Sequence, residues 1–414
     1  MLVSINISIF APKEMKRICF LVDSIFTIGG VQRVTAVIAK ALANDYDVTI
    51  VTQDQPSAKD TSLYGLQEAP IHYEFFRFPV LSSVKKSFYR SYSILYRTCL
   101  YRLRGEHDWF LQRWASDLYA HSSFPAEQRK PMVNILRQGN YDVIIGVHAP
   151  LAVRLAAVRK QLSDVRLIGW VHNSFEALFD TGSFYIGPER KRHYVYQLRK
   201  LDETIVLCQH DADSYRSYDS ATHPRVIYNP LTLVPGSPSQ GTSRQFLAVG
   251  RFSHRHKGFD LLIDAFSMIA SECPEWTLHI VGEGVEESLY RQKMKDYGLE
   301  DRIFLHPFTT QIQQYYSQAQ VYVLSSRWEG FGLVIVEAMA HGLPVVSSNL
   351  PTSKEIMGDT GLYFENGNVK ELARRLIEAT HLDWPAESAK AIALAQRFHI
   401  SRIINQWHEI INKS

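Results

Sequence analysis

The chain has 414 residues, 46% of them apolar, and a formal net charge of +3. This is enough apolar material for two domains with cores of their own, and the near-neutral balance carries no global signature of polyanion binding. No apolar stretch approaches the roughly 20 residues that span a bilayer, and Cys19, Cys99, Cys208 and Cys273 lack metal-ligand spacing, so they read as buried free thiols of a reducing compartment.

Residues 1–14 are apolar at Leu2–Phe10 but lack a basic leading region, and the chain reads more naturally from Met15-Lys16-Arg17. They are expected to be a flexible tail or an extension ahead of the true start. Ile18–Val22 is a continuous apolar run, the pattern of a parallel strand buried on both faces. After the Asp23–Ile28 loop, Gly29-Gly30 opens an amphipathic helix with Val31, Val34, Val37, Ile38, Ala41 and Leu42 near helical spacing. Glycines there let backbone approach a diphosphate or an acceptor closely. Val48–Val51 is the next strand.

A basic, aromatic insertion at about 82–132 interrupts this series. Lys85–Arg104 holds six basic residues and no acidic one. Projected as a helix, it puts Phe88, Tyr92, Leu95, Cys99 and Leu103 on one face and Lys86, Arg90, Arg97 and Arg104 opposite. That division suits an anionic membrane surface; the plainer reading is a packed helix with a solvated face. Nucleic acid is not an expected partner of so nearly neutral a chain.

Val143–Val147 ends at His148, Leu167–Val171 ends at His172, and Ile205–Leu207 follows. Asn229–Ser243, rich in Pro, Gly, Ser and Thr, reads as an interdomain linker. A second series runs through Phe246–Val249, Thr277–Val281, Ile303–Leu305, Val321–Leu324 and Pro344–Ser347, with helices between. Strands alternating with helices imply α/β architecture: two Rossmann-like, doubly wound parallel-sheet domains facing across a cleft. The expected divisions are 15–232, 233–384 and a helical 385–414.

Residues 325–348, SSRWEGFGLVIVEAMAHGLPVVSS, carry the most chemistry. Glu329 lies in the Gly-rich loop Glu329-Gly330-Phe331-Gly332, and Glu337 follows after seven intervening residues on a helix-compatible run. A strand, a glycine loop and a helix N-terminus together form an anion site, because unpaired amides and the helix dipole point at the loop. An eight-residue step is a little over two helical turns, so the two carboxylates can address different parts of one elongated ligand. A phosphate near amides, flanked by acceptors for sugar hydroxyls, describes a nucleotide-sugar. Two further loops follow strands: Gly250-Arg251-Phe252 with Lys257-Gly258, and Gly282-Glu283-Gly284. Fixed cations such as Arg251 and Lys257 would stabilise the charge that develops on a leaving diphosphate.

E-G-F-G-x4-E-A-M-A-x-G-x-P-V-V resembles the E-x7-E signature of retaining glycosyltransferases of family 4, which have the GT-B fold. The resemblance is specific over 244–380 and looser over 15–230. It implies that Glu329 holds donor-sugar hydroxyls, that Glu337 accepts the ribose hydroxyls, and that amides of Phe331, Gly332 and Leu333 lie near the phosphate. Gly250-Arg251 with Lys257-Gly258 resembles the family's G-R…K-G pair, and Gly282-Glu283-Gly284 its V-G-x-G position beside the nucleotide. Gly29-Gly30 resembles the N-terminal glycine loop, and Phe308 sits where contacts to the base are expected. His172 resembles the active-site histidine, which would stabilise an oxocarbenium-like state or hold a donor hydroxyl; His148 is a second candidate. The last helices are expected to return to the N-terminal domain.

These implications add up to a hexosyltransferase of the cytoplasm. It would use a nucleotide-diphosphate sugar, UDP-linked by default with GDP-mannose open, and a glycan or lipid-linked acceptor. Polysaccharide, lipopolysaccharide, capsule or glycolipid assembly is the expected setting, with attachment to the inner face of the plasma membrane if 85–104 docks there. No D-x-D pair stands where it would chelate a metal, so metal-independent catalysis with no cofactor is expected. A sugar-nucleotide epimerase would need other acid and base residues. A glycan phosphorylase would need a pyridoxal phosphate lysine, and a non-catalytic binding protein would not need Arg251, Lys257, Glu329 and Glu337 together.

Overall fold

The computed structural model describes residues 15–102, 109–180 and 185–413. The expected tail at 1–14, Leu103, Arg104 and the side chain of Cys99 lie outside what it describes. The N-terminal part runs β1 (Arg17–Val22), α1 (Gly30–Leu42), β2 (Asp47–Thr52), β3 (Ile71–Phe75), α2 (Ser83–Arg102), α3 (Trp109–Ser123), α4 (Ala126–Gln138) and β4 (Val143–Val147). It continues through α5 (Ala149–Ala157), β5 (Arg166–Trp170), α6 (Phe175–Phe179), α7 (Pro188–Leu198), β6 (Glu203–Val206), α8 (Gln209–Tyr218) and β7 (Pro224–Val226). After an irregular stretch come β8 (Gln245–Val249), α9 (His254–Lys257), α10 (Phe259–Ile269), β9 (Thr277–Val281), α11 (Glu287–Asp296), β10 (Ile303–His306), α12 (Gln313–Gln318) and β11 (Val321–Leu324). The remainder is α13 (Leu333–Ala340), β12 (Val345–Ser348), α14 (Pro351–Met357), β13 (Leu362–Phe364), α15 (Val369–Thr380), α16 (Trp384–Ala395) and α17 (Ile400–Asn412).

Two parallel sheets result, ordered β3-β2-β1-β4-β5-β6-β7 and β10-β9-β8-β11-β12-β13. Each is doubly wound, with helices on both faces. The central strands are the continuous apolar runs, because both of their faces are covered. Three strands escape that signal: β3, β7 and β13. All three are sheet margins. β3 alternates as Ile-His-Tyr-Glu-Phe with its polar residues outward, and β7 and β13 are three residues long. In this two-domain α/β architecture the fold is GT-B.

The C-terminal helix returns to the first sheet. Ile403, Trp407, Ile410 and Ile411 recur at helical spacing on one buried stripe of α17. Trp407 packs edge-on against Trp170 of β5, ring centroids 4.7 Å apart, and near Phe20 of β1 at 6.4 Å. Lys16 Nζ donates to the Ile411 carbonyl at 3.0 Å. One apolar core therefore continues from α1 and the first sheet, beneath α17, into α16 and α13 of the second domain. Chain crossing back in this way ties the two domains together at the side of the cleft.

The insertion folds as α2, α3 and α4, and α2 differs from its helical projection. It packs through Tyr89, Ser93 and Tyr96: Ser93 bonds Ser122 at 2.9 Å, Tyr89 donates to Glu127 at 3.1 Å, and Tyr96 meets the ring of Trp114 edge-on. Phe88, Tyr92 and Leu95, placed on one apolar face by the projection, are exposed, and so are Lys86 and Arg90. Arg97 is half-buried. Tyrosine and serine make the packed face because α3 and α4 offer polar partners, which simple hydropathy does not anticipate. Among the described residues, no helix is long and apolar enough to cross a membrane.

Candidate active site

In doubly wound sheets ligands bind beyond the strand C-termini, where the strand order reverses. Here the reversals fall between β1 and β4 and between β8 and β11. Gly29-Gly30 follows β1, His148 follows β4 and His172 lies just beyond β5. Arg251 and Lys257 follow β8, Gly282 follows β9, and Glu329–Leu333 follows β11. Topology thus gathers nearly all of the candidate residues at two crevices, and the crevices face each other.

Lys257 and Glu329, 72 residues apart, meet directly. Lys257 Nζ lies 2.6 Å from Glu329 Oε1, and Ser326 Oγ donates to the same oxygen at 2.6 Å. Glu329 is only 8% exposed. Burial pushes its pKa up, but Lys257, His256 and the two hydrogen bonds outweigh that, and the carboxyl stays below its ordinary range. Gly258 explains the glycine after the lysine: its φ is +64°, and a Cβ there would stand 2.1 Å from the Ser325 carbonyl oxygen. His256 stacks on Trp328 with ring centroids 5.0 Å apart, and burial, then Lys257, lower its pKa to about 4. Arg251 is exposed on the same loop. The Lys257 stem crosses Gly250, whose N–H donates to the Val281 carbonyl, while the N–H of Phe252 donates to that of Glu283; these bonds seat Gly282 against the β8 loop. Phe308 is exposed past the end of β10.

Glu337 sits in the second turn of α13 and is 2% exposed. Among the described residues, three side chains engage it. Tyr316 Oη donates to Oε2 at 3.0 Å, Thr232 Oγ1 to Oε1 at 3.4 Å, and Arg33 of α1, in the other domain, pairs with Oε1. The N-termini of α1 and α13 therefore confront each other: a Cβ on Gly30 would lie 3.5 Å from Leu333 Cδ1. Two helix N-termini at one crevice reinforce its attraction for an anion. Gly330 is pressed against the N-terminal domain, where a Cβ would stand 1.9 Å from the His172 carbonyl oxygen.

His172 is 7% exposed, and burial, with His148 beside it, holds its pKa well below the ordinary imidazole range. The two rings lie 6.4 Å apart. His172 Nε2 is buried and has no hydrogen-bond partner among the described residues. A neutral, unpartnered imidazole at a cleft can exchange a hydrogen bond with a sugar hydroxyl without carrying charge. His148 caps α5 at φ +81°, a conformation rare for a residue with a Cβ.

Several residues that shape the site escaped sequence reading. Asp54, just beyond β2, accepts from Ser24 Oγ, Thr52 Oγ1 and the N–H groups of Ile25 and Phe26, so it moulds the loop ahead of Gly29. Tyr64 Oη accepts from the Gly29 N–H at 2.8 Å and donates to the Thr27 carbonyl at 3.0 Å. Glu355 of α14 accepts the Gln209 N–H at 2.7 Å, capping α8 across the domain boundary, and takes Tyr228 Oη at 2.8 Å. A carboxylate just past a strand's C-terminus, as at Asp54, is a usable signal; Arg33, Tyr64, Tyr316 and Glu355 leave none.

Asp211 steadies the segment after His172. Its Oδ1 accepts the Phe175 N–H at 2.8 Å, and the Cys208 thiol lies 3.1 Å from Oδ2. Burial raises its pKa from 3.8 to about 6, and the hydrogen bonds offset only part of that. A carboxyl raised in the folded chain binds its proton more tightly there than when unfolded. Its contribution is therefore greatest below pH 3.8 and declines as pH rises towards about 6. At 1.36 kcal/mol per unit the loss is about 3 kcal/mol. Asp211→Asn keeps an acceptor for Phe175 and removes the titration. Denaturant midpoints should show the variant gaining on the native chain between roughly pH 4 and pH 7; a difference constant across that range would contradict the assignment.

Comparison with known proteins agrees with this architecture. Residues 243–381 match the family described as glycosyl transferases group 1, and residues 111–233 match glycosyltransferase family 4. An uncharacterized glycosyltransferase of Haemophilus influenzae is 25% identical over 412 residues, covering 96% of this chain and 100% of the relative. The amylovoran biosynthesis glycosyltransferase AmsD of Erwinia amylovora is 25% identical over 413 residues, covering 96% and 100%. A lipopolysaccharide 1,6-galactosyltransferase of Salmonella typhimurium is 29% identical over 150 residues, 34% of this chain and 41% of that one. Among solved structures, Anabaena Alr3699/HepE in complex with UDP and glucose superposes with a TM-score of 0.70 at 21% identity, covering 96% of this chain and 99% of the other. Sucrose-phosphate synthase from Thermosynechococcus elongatus gives 0.71 at 18% identity, covering 95% and 98%.

Proposed function

We propose that this chain, a glycosyltransferase of GT-B architecture, moves a hexosyl group with retention from a nucleotide-diphosphate sugar to a glycan or lipid-linked acceptor in cell-surface polysaccharide or glycolipid assembly. The observation that carries the reading is the meeting of the Lys257–Glu329 pair with the amino end of α13, opposite Gly29-Gly30 and His172. The diphosphate would lie against the amides of Phe331, Gly332 and Leu333, with Lys257 and Arg251 offsetting the charge that develops as the leaving group departs. Glu329 would hold the sugar hydroxyls and keep Lys257 in place. Glu337 would take the ribose diol, and Phe308 and Gly282 would border the base and diphosphate. His172, neutral through burial, would hold a donor hydroxyl beside the reacting carbon. UDP is the favoured carrier, since Alr3699/HepE was solved with UDP.

A thermal-shift panel of nucleotides and nucleotide-sugars tests the donor, because a ligand bound only by the folded state raises stability by mass action. Nuclear magnetic resonance of the first product then reports the anomer: an axial donor should give an axial product, and the opposite anomer overturns retention. With two cations in the role a metal fills elsewhere, activity should survive EDTA largely intact. Its abolition, with rescue by magnesium or manganese, would take that role from Arg251 and Lys257.

The exposed face of α2 supports a place at the inner face of the plasma membrane. Val84, Phe88, Tyr92 and Leu95 lie open beside Lys86 and Arg90, which suits insertion of rings at the depth of anionic headgroups. Sedimentation with phosphatidylglycerol vesicles should weaken with salt and fall by at least roughly thirtyfold on reversing the charge of Lys86 and Arg90 together, since losing two contributions of about 1 kcal/mol alone amounts to that. Sedimentation that ignores both changes would leave α2 an ordinary surface helix.

A further inference from the structure

The contact between Arg33 and Glu337 bears on how a donor is admitted. Arg33 lies in the first turn of α1, three residues past Gly30, and reaches across the domain boundary to a carboxylate that is 2% exposed. Glu337 already accepts from Tyr316 on its other oxygen and from Thr232 on the same one. A ribose presents two vicinal hydroxyls, and both must find acceptor positions on this one carboxylate. Three side-chain donors leave too little room, and Arg33 is the one that arrives from the opposite domain. It is also the least well satisfied: its Nε is buried with no hydrogen-bond partner among the described residues. Tyr316, fully buried and stacked on His341, belongs to the floor of the site.

We propose that Arg33 competes with the donor's ribose for Glu337, so that admitting the nucleotide requires this interdomain pair to be given up. The inference rests on the ribose assignment made above for Glu337. In thermodynamic terms, the paired arrangement lowers the fraction of enzyme able to bind and weakens apparent affinity by that fraction. The competition acts only on ligands that carry a ribose. A diphosphate alone needs the α13 amides and Lys257 and does not call on Glu337.

Titration calorimetry on the full chain tests this with whichever of uridine, guanosine or adenosine diphosphate gives the largest thermal shift, and with inorganic pyrophosphate as the ligand lacking ribose. Arg33→Met should bind the nucleoside diphosphate about tenfold more tightly, a typical size for coupling between two sites, with pyrophosphate affinity unchanged. Arg33→Lys keeps a charge without the guanidinium fork and should fall between; it also serves if the methionine variant does not fold. Glu337→Gln should weaken nucleoside diphosphate binding. If Glu337→Gln weakens binding while Arg33→Met leaves it unchanged, the competition is wrong and the ribose assignment survives. If Arg33→Met weakens both ligands, Arg33 contacts the diphosphate and the competition is again wrong. An unaltered affinity in Glu337→Gln, or no binding of any of the three nucleotides, removes the ribose assignment and this inference with it.

Discussion

Lys257→Ala is expected to lower turnover at saturating donor by about 10²–10³, the cost of removing one fixed group that stabilises developing charge. The same substitution strands Glu329. With Lys257 gone, a carboxylate 8% exposed keeps, among the described residues, only the Ser326 hydroxyl as a side-chain donor. Breaking a buried pair from one side costs about 3–5 kcal/mol, so the melting temperature should fall as well. Part of that cost will be relieved by protonation, since burial then acts on Glu329 without the lysine to oppose it. In the native chain the lowered Glu329 pKa stabilises the fold above the ordinary value of 4.5, and that contribution is lost as pH falls below it. The double variant Lys257→Ala/Glu329→Ala separates the two effects. It should recover much of the lost stability, because no buried charge remains unpaired, and none of the activity. Nucleotide release and thermal melting measure the pair of outcomes. A single variant within about threefold of native turnover would remove Lys257 from the leaving-group side, since even one weak catalytic contact exceeds that.

Gly330→Ala is the second large effect, and its cause is steric. The added methyl would stand 1.9 Å from the His172 carbonyl oxygen and 3.4 Å from Asn173 Cα. Backbone lies on both sides, so no flexible side chain can yield, and the domains must separate by about 1 Å or more to reach van der Waals contact. Gly30 against Leu333, Arg33 against Glu337 and Glu355 at the amino end of α8 belong to the same interface and would shift with it. A misplacement of about 1 Å in a reacting constellation costs on the order of 10²-fold. We therefore expect kcat/KM to drop by about that factor while nucleotide affinity does not fall, since drawing Arg33 away from Glu337 frees the carboxylate for the ribose. Small-angle scattering should register a wider particle. Full activity in Gly330→Ala would mean that catalysis does not use this closed contact.

Gly330 also marks where sequence reading stops. The glycine loop reads as an anion site on its residue types and its place between a strand and a helix, and the structure puts the loop at the amino end of α13. That its first glycine serves to seat one domain on the other depends on its contact with His172, in the other domain and far back along the chain, which no local pattern encodes.

The alternation of apolar runs with amphipathic helices determined two parallel α/β domains, because a strand buried on both faces must be apolar throughout. For the same reason it was silent on β3, β7 and β13, which lie at sheet margins and are covered less. The places of Lys257, Glu329 and His172 beyond strand ends, and of Glu337 on the helix after β11, were legible, since doubly wound sheets bring the segments after their central strands to one edge. Partners were not. That Lys257 pairs with Glu329, that Arg33 reaches Glu337, and that α2 turns Phe88 and Tyr92 outward are decided by which elements meet after both domains close. Such contacts join residues tens to hundreds of positions apart, and their geometry comes from packing the whole chain.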